Sequence, residues 1–203
     1  MLLTPLARIE LAEQAHAEGR IIQGSWRKKL AGRELVCALA AFGPDINSAS
    51  NCPADLMPRW LAELVPTLDD GIAKKDVPWF SGEFIARARR WHVLDDAAWD
   101  RIRTGFMIAG IKQALASAQP VQPDPKPAYW QKVVDACNGV ITALETGHGL
   151  SEAARWAAEA AEAERWAAAA EARWAAAAYK TLAETLFQII DVELATAESI
   201  ASK

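Results

Sequence analysis

All ten prolines of this 203-residue chain lie at or before Pro127 and all eleven glycines at or before Gly149. Residues 150–203 therefore contain neither of the residues that most strongly interrupt a helix, proline through its missing donor and ring clash, glycine through its backbone entropy. Such a segment can form one continuous helix. Ser151, just after the turn residues Gly147, His148 and Gly149, is placed to accept from first-turn amides, and Glu152 falls where the helix dipole favours an anion. Between residues 153 and 178, sixteen of 26 residues are alanine, the strongest helix former. At 1.5 Å per residue a helix of about 50 residues would reach roughly 75 Å, so it is expected to bend, break or project from the rest of the protein.

Large residues interrupt the alanines at Trp156, Trp166 and Trp174, and Tyr179 follows. Trp156 and Trp174 are five helical turns apart and share a face, roughly 27 Å from each other, with Trp166 about 80° to one side. Two readings are open: these rings pack against residues 129–144 or a symmetry mate, or they form a partner-binding face. We carry Trp156, Trp166, Trp174 and Tyr179 forward as candidate partner-binding residues. From Leu182 onward, Leu186, Phe187, Ile189, Ile190 and Leu194 recur at helical spacing and read as an ordinary buried stripe.

Upstream, residues 119–127 read QPVQPDPKP, an extended proline-rich linker. The expected division is a helical domain at 1–118, this linker, and a helical hairpin at 128–203. The hairpin joins a helix at 128–145 to the long alanine-rich one. Within 1–118, Thr4 and Pro5 start a helix that Gly19 stops. Residues 21–29 with Gly32 are the only stretch that reads as extended or as a short hairpin, and 35–42 is an apolar run ending at Gly43 and Pro44. Residues 53–65 and 77–91 read as short helices bounded by Pro66 and Gly71, and Asp95 caps a helix at 97–118. The expected fold class is all-α: an N-terminal bundle of short helices, then a helical hairpin.

With 52% hydrophobic and 24% charged residues the chain is of ordinary globular composition. No apolar run approaches the roughly 18 residues of a membrane span, and Pro5, Arg8, Glu10 and Glu13 interrupt what would be a signal peptide. Cys37, Cys52 and Cys137 are too few and too scattered for a disulfide framework or zinc knuckle. The expected location is therefore the cytoplasm. Residues 151–203 hold five Lys and Arg against nine Asp and Glu, whereas 1–150 are balanced, so the whole net charge of −4 lies in the final segment. An acidic segment repels phosphates, which argues against direct nucleic-acid binding. Arg27, Lys28, Lys29 and Arg33, and again Arg87, Arg89 and Arg90, read as solvated basic faces.

Several stretches, AEGRIIQGSW (17–26), GRELVCALAAF (32–42), CPADLMPRWLAEL (52–64), WHVLDDAAW (91–99) and the alanine- and tryptophan-rich tail, resemble a loose group of uncharacterised bacterial proteins, many of them encoded by phages or prophages. The resemblance implies a context only, that of a small intracellular accessory protein of a mobile element.

Chemical motifs are sparse. Glu13 and His16 have the Glu-x-x-His spacing of carboxylate-bridged di-iron bundles, but no second copy accompanies them, so no metal and no cofactor are expected. Cys52 precedes Pro53 and Asp55, which reads as a helix start. A thiolate there is stabilised by free amides, making Cys52 the candidate nucleophile, with His92 or His148 as base. The pairs Asp69, Asp70 and Asp95, Asp96 stand beside turn signals and read as caps. The function expected is thus a non-enzymatic protein-binding module that regulates or inhibits a host system, for example in anti-defence, with a host protein or a second copy of itself as partner. The alternatives are a thiol enzyme using Cys52, or a structural homo-oligomer built on the long helix.

Overall fold

The computed structural model describes residues 3–118, 128–147 and 175–202. The linker 119–127 and the segment carrying Trp156, Trp166 and Trp174 lie outside the described residues. Six α-helices and one two-stranded sheet are present among those described, so the fold is all-α. Helix α1 is Pro5–Ala17, with the Thr4 hydroxyl accepting the Ala7 N–H at 3.3 Å at its start and Gly19 in the left-handed region just beyond its end. Strands β1 (Arg27–Leu30) and β2 (Arg33–Val36) pair antiparallel about Ala31 and Gly32. Both turn residues have positive φ, 49° and 77°, the pattern that matches the twist of a tight hairpin.

Helix α2 is Arg59–Gly71, α3 Val77–Ala88, α4 Asp96–Ala118, α5 Ala128–Thr146 and α6 Ala175–Ala201. The Asp95 carboxylate caps α4, accepting the Ala98 N–H at 2.7 Å. Helix α2 differs from the expectation of a helix at 53–65 closed by Pro66. It begins six residues later and carries Pro66 in its interior. A proline there removes the bond to the Ala62 carbonyl and crowds that oxygen with its ring. The buried stripe of Leu61, Ala62, Val65, Leu68 and Asp69 holds the helix together across the gap.

Contacts divide the chain into two units. One comprises Met1–Ile102 with Trp174–Lys203, the other Arg103–Arg173, whereas the sequence reading placed its cut at the proline-rich linker. In the second unit Trp130, Ile141 and Ala143 are buried, and Lys112 meets Glu145 at 3.5 Å. In the first unit α6 packs on α2 and α3.

The core of the first unit is a connected set of aromatic rings. Phe84 touches Phe42, Phe80 and Trp91 with centroids 5.9, 6.0 and 5.2 Å away, and Phe80 stacks on Phe187 of α6 at 5.7 Å. Trp91 continues through Trp99 to Trp60, while Phe187 leads to Trp79. Helix α6 buries Leu186, Phe187, Ile190 and Leu194, of which Phe187 belongs to this set, each worth roughly 1.5–3 kcal/mol. Four ion pairs flank the stripe: Lys180 with Asp76 at 2.9 Å, Asp191 with Arg87 at 2.6 Å, and Glu193 with Arg101 and Glu198 with Arg90, each at 2.8 Å. Solvent-exposed pairs contribute about 0–1 kcal/mol each, so burial supplies the attachment and the charges fix the helix's register.

Phe84→Ala removes the ring at the centre of this set and is expected to cost about 3–5 kcal/mol in urea unfolding. Leu30→Ala, at the exposed hairpin tip, is expected to change stability by less than about 0.5 kcal/mol in the same measurement.

Candidate functional site

Of the four candidate partner-binding residues, Tyr179 is the one within the described residues. It is half-buried in the first turns of α6, with its ring lying directly on the backbone of Gly71 at the end of α2. A β-carbon at position 71 would overlap the ring, so the close approach requires glycine. Pro66, Thr67, Asp70, Gly71 and Tyr179 line an open cleft there. The end of α2 is also held by Gln23 and Gly24. The Gln23 side-chain amide donates to the carbonyls of Asp69 and, at 2.8 Å, Ile72, while the Gly24 N–H donates to Asp70 at 2.8 Å.

Asp70 thus ties the end of α2 to a distant turn, whereas the sequence reading had it capping a helix. Nor does Asp69 cap a helix. It is 1% exposed on the apolar stripe of α2 and accepts the Ala38 N–H at 3.4 Å through Oδ2, with no partner at Oδ1. Burial, reinforced by the neighbouring Asp70 charge, pushes its carboxyl up to about 7. A helix ending before Pro66 hides this residue. Once the helix runs to Gly71, Leu61, Val65 and Asp69 follow at four-residue spacing and Asp69 falls inside the stripe.

Cys52 does not occupy a helix start. It ends the short 3-10 turn Ala49–Asn51, and residues 53–58 separate it from α2. The amide donors expected to stabilise a thiolate therefore do not converge on it, and burial pushes its thiol up to about 11. Neither histidine is described beside it: the Nδ1 of His92 lies 3.0 Å from the Arg89 carbonyl, and His148 lies outside the described residues. The charged groups acting on Cys52 are Arg8, Asp45 and Asp55. Arg8, 2% exposed, grips Asp45 with two bonds of 2.7 Å and holds that carboxyl below the usual carboxylate range.

Glu13 and His16 diverge. Glu13 pairs with Arg89, and His16 Nδ1 lies 3.0 Å from the Ser81 hydroxyl, whose own proton is directed to the Val77 carbonyl at 2.9 Å. His16 is therefore half-buried between α1 and α3, with its ring against Gly82. No group of three or more His, Cys, Asp or Glu side chains able to hold a metal occurs among the described residues.

The basic groups are likewise engaged. Arg27 donates to the Ala40 carbonyl at 2.8 Å and to that of Gly43, and Arg33 donates to the Glu18 carbonyl at 2.7 Å. Arg87, Arg89 and Arg90 each pair with a carboxylate. Lys28 and Lys29 are exposed. No helix among the described residues is long and apolar enough to cross a membrane. Comparisons with protein-family models, curated proteins and solved structures find no match.

Two outcomes are expected from these geometries. Gly71→Ala should destabilise the protein by about 1–3 kcal/mol, and Tyr179→Ala in the same chain should remove much of that cost by vacating the space, read as a coupling in a double-mutant cycle. Cys52 should react with an aromatic disulfide at pH 8 more slowly than glutathione does, with the rate assigned by peptide mapping. A faster reaction would restore the nucleophile reading.

Proposed function

We propose that the protein is a non-enzymatic protein-binding module, carried by a mobile element and acting in the cytoplasm of a bacterial host, where it regulates or inhibits a host system such as a defence pathway. The phage-like resemblance of residues 17–26, 32–42, 52–64 and 91–99 supports the context. The observation that carries the binding role is the anchorage of α6. Its buried stripe and four ion pairs commit residues 180–198 to the protein's own core.

The alanine run that immediately precedes this anchored helix in the sequence carries Trp156, Trp166 and Trp174. Large aromatic anchors on a surface of small residues are what interface hot spots favour, and a fixed base lowers the cost of ordering them. Tyr179 marks the junction, where the helix meets α2. The partner is a host protein or a second copy of this chain. Its recognition by tryptophan anchors requires neither a nucleic acid nor a membrane, and no chemical step enters the reading.

A tagged pull-down from bacterial lysate, with and without nuclease, tests the proposal. One host protein is expected in near-equal amount to the bait under both conditions, and its recovery should fall at least about tenfold with Trp166→Ala or Trp174→Ala while circular dichroism stays helical. Recovery of the bait alone together with a concentration-dependent dimer in light scattering selects self-association. A monomer that recovers only itself, or recovery unaffected by either substitution, overturns the binding face.

A further inference from the structure

Two charged side chains are buried among the described residues, Arg8 and Asp69. Arg8 has a carboxylate on its guanidinium, whereas Asp69 has one long bond at Oδ2 and nothing at Oδ1. Three segments meet at Asp69. They are the last turn of α2, the turn after β2 that supplies Ala38 and Cys37, and residues 23–24, which bind the carbonyls of Asp69 and Ile72 and the side chain of Asp70. Two residues beyond Asp69 is Gly71, on which the Tyr179 ring rests.

A neutral carboxylic acid can stay in such a place. An ionised one would be a buried charge without a counter-ion, at the end of a helix whose dipole disfavours anions. The Ala38 N–H favours the carboxylate, but burial outweighs it and the other groups around Asp69 do not oppose the neutral form. Asp70 adds a like charge from the same turn, the Cys37 thiol faces it from the turn after β2 and is itself pushed up by burial, and Gln23 offers a neutral amide. On α6, Tyr179 covers Gly71, and its neighbour Lys180 is engaged by Asp76. No cation acts on Asp69 among the described residues.

We propose that Asp69 is a proton-operated latch beneath the Tyr179 seat. Protonated, it keeps the last turn of α2 in the core with Gly71 under the ring; when the proton leaves to solvent, the carboxylate is expelled, the turn shifts and the start of α6 releases Gly71. The sign follows from burial. A carboxyl raised from the ordinary range to about 7 leaves the seat fully stable in acid, weakens it progressively as pH rises through that interval, and adds no further loss above it. The latch stands on these contacts by themselves. Only its use, which is to free Tyr179 for a partner, rests on the binding role proposed above.

Amide hydrogen exchange on the full chain at pH 5.5, 7.0 and 8.5, corrected for intrinsic rates, tests the latch without any partner. In the wild type, residues 68–72 and 176–182 are expected to lose protection by about tenfold or more over this range relative to α1 and α3, and Asp69→Asn and Asp69→Leu should both abolish the dependence. Invariant protection in the wild type, the same loss in the neutral variants, or an equal loss in every helix of the unit overturns it. Should one variant not fold, the other is read. Should neither fold, the carboxyl carbon shift of Asp69 in the wild type is read instead, where titration centred below pH 5 overturns the latch and titration near 7 together with the local loss upholds it. Failure here leaves the pull-down prediction standing, and failure of the pull-down leaves the latch standing.

Discussion

The stacking of Phe80 between Phe84 and Phe187 is the contact on which the first unit depends, because it is where the chain's last helix joins the core laid down by its first hundred residues. The three rings belong to α3 and α6, more than a hundred positions apart in sequence, so closing this contact orders a long loop before any local gain is realised. Its return is large. Phe80 and Phe84 are fully buried, and the rings extend on one side to Phe42, Trp91, Trp99 and Trp60 and on the other to Trp79. The Arg87 guanidinium lies 4.5 Å over the Phe187 ring, so that the same arginine covers part of the aromatic set and pairs with Asp191 and Glu83.

What the rings cannot stabilise is the irregular backbone packed beside them. Residues 37–46 are buried for most of their length yet form no strand and only one short 3-10 turn, which leaves carbonyls that require donors. Two arginines supply them. Arg8, from the buried face of α1, reaches the Phe42 carbonyl and Asp45, and Arg27, from β1, reaches the carbonyls of Ala40 and Gly43. A β-carbon at Gly43 would meet the ends of both the Arg8 and Asp45 side chains, so glycine leaves room for the Arg8 guanidinium and the Asp45 carboxylate to pair there. Polar side chains that a sequence presents as a charged helix face and a basic strand are thus spent on one internal loop.

Local signals were legible and distant ones were not. The cap at Thr4, the stops at Gly19 and Gly147, the hairpin about Gly32 and the cap at Asp95 each depend on one or two neighbouring residues, and each stands where the sequence places it. Pro66 was the costly misreading. Taken as a boundary it displaced α2 and hid Asp69 from the apolar stripe to which its spacing assigns it, while Pro53 and Asp55 set Cys52 at a helix start it does not occupy. The seat of Tyr179 could not be read at all, since its other half, Gly71, lies 108 positions upstream and looks like an ordinary stop signal.

The charges make the same point and bear on function. Read along the chain, Arg87, Arg89 and Arg90 form a solvated basic face and the final segment carries an acid excess that repels phosphates. In the folded chain Asp191 and Glu198 neutralise Arg87 and Arg90, Glu193 neutralises Arg101, and Glu13 neutralises Arg89. Among the described residues these acids and arginines hold one another rather than standing as free electrostatic surfaces. Screening and solvent make each pair weak, yet a helix whose acids match three arginines at fixed positions is held in one register along its groove, and a one-turn slip would lose all three matches together. That fixed register is also what delivers Tyr179 to the one glycine able to receive it, so the electrostatics of α6 and the packing at Gly71 are two readings of a single constraint.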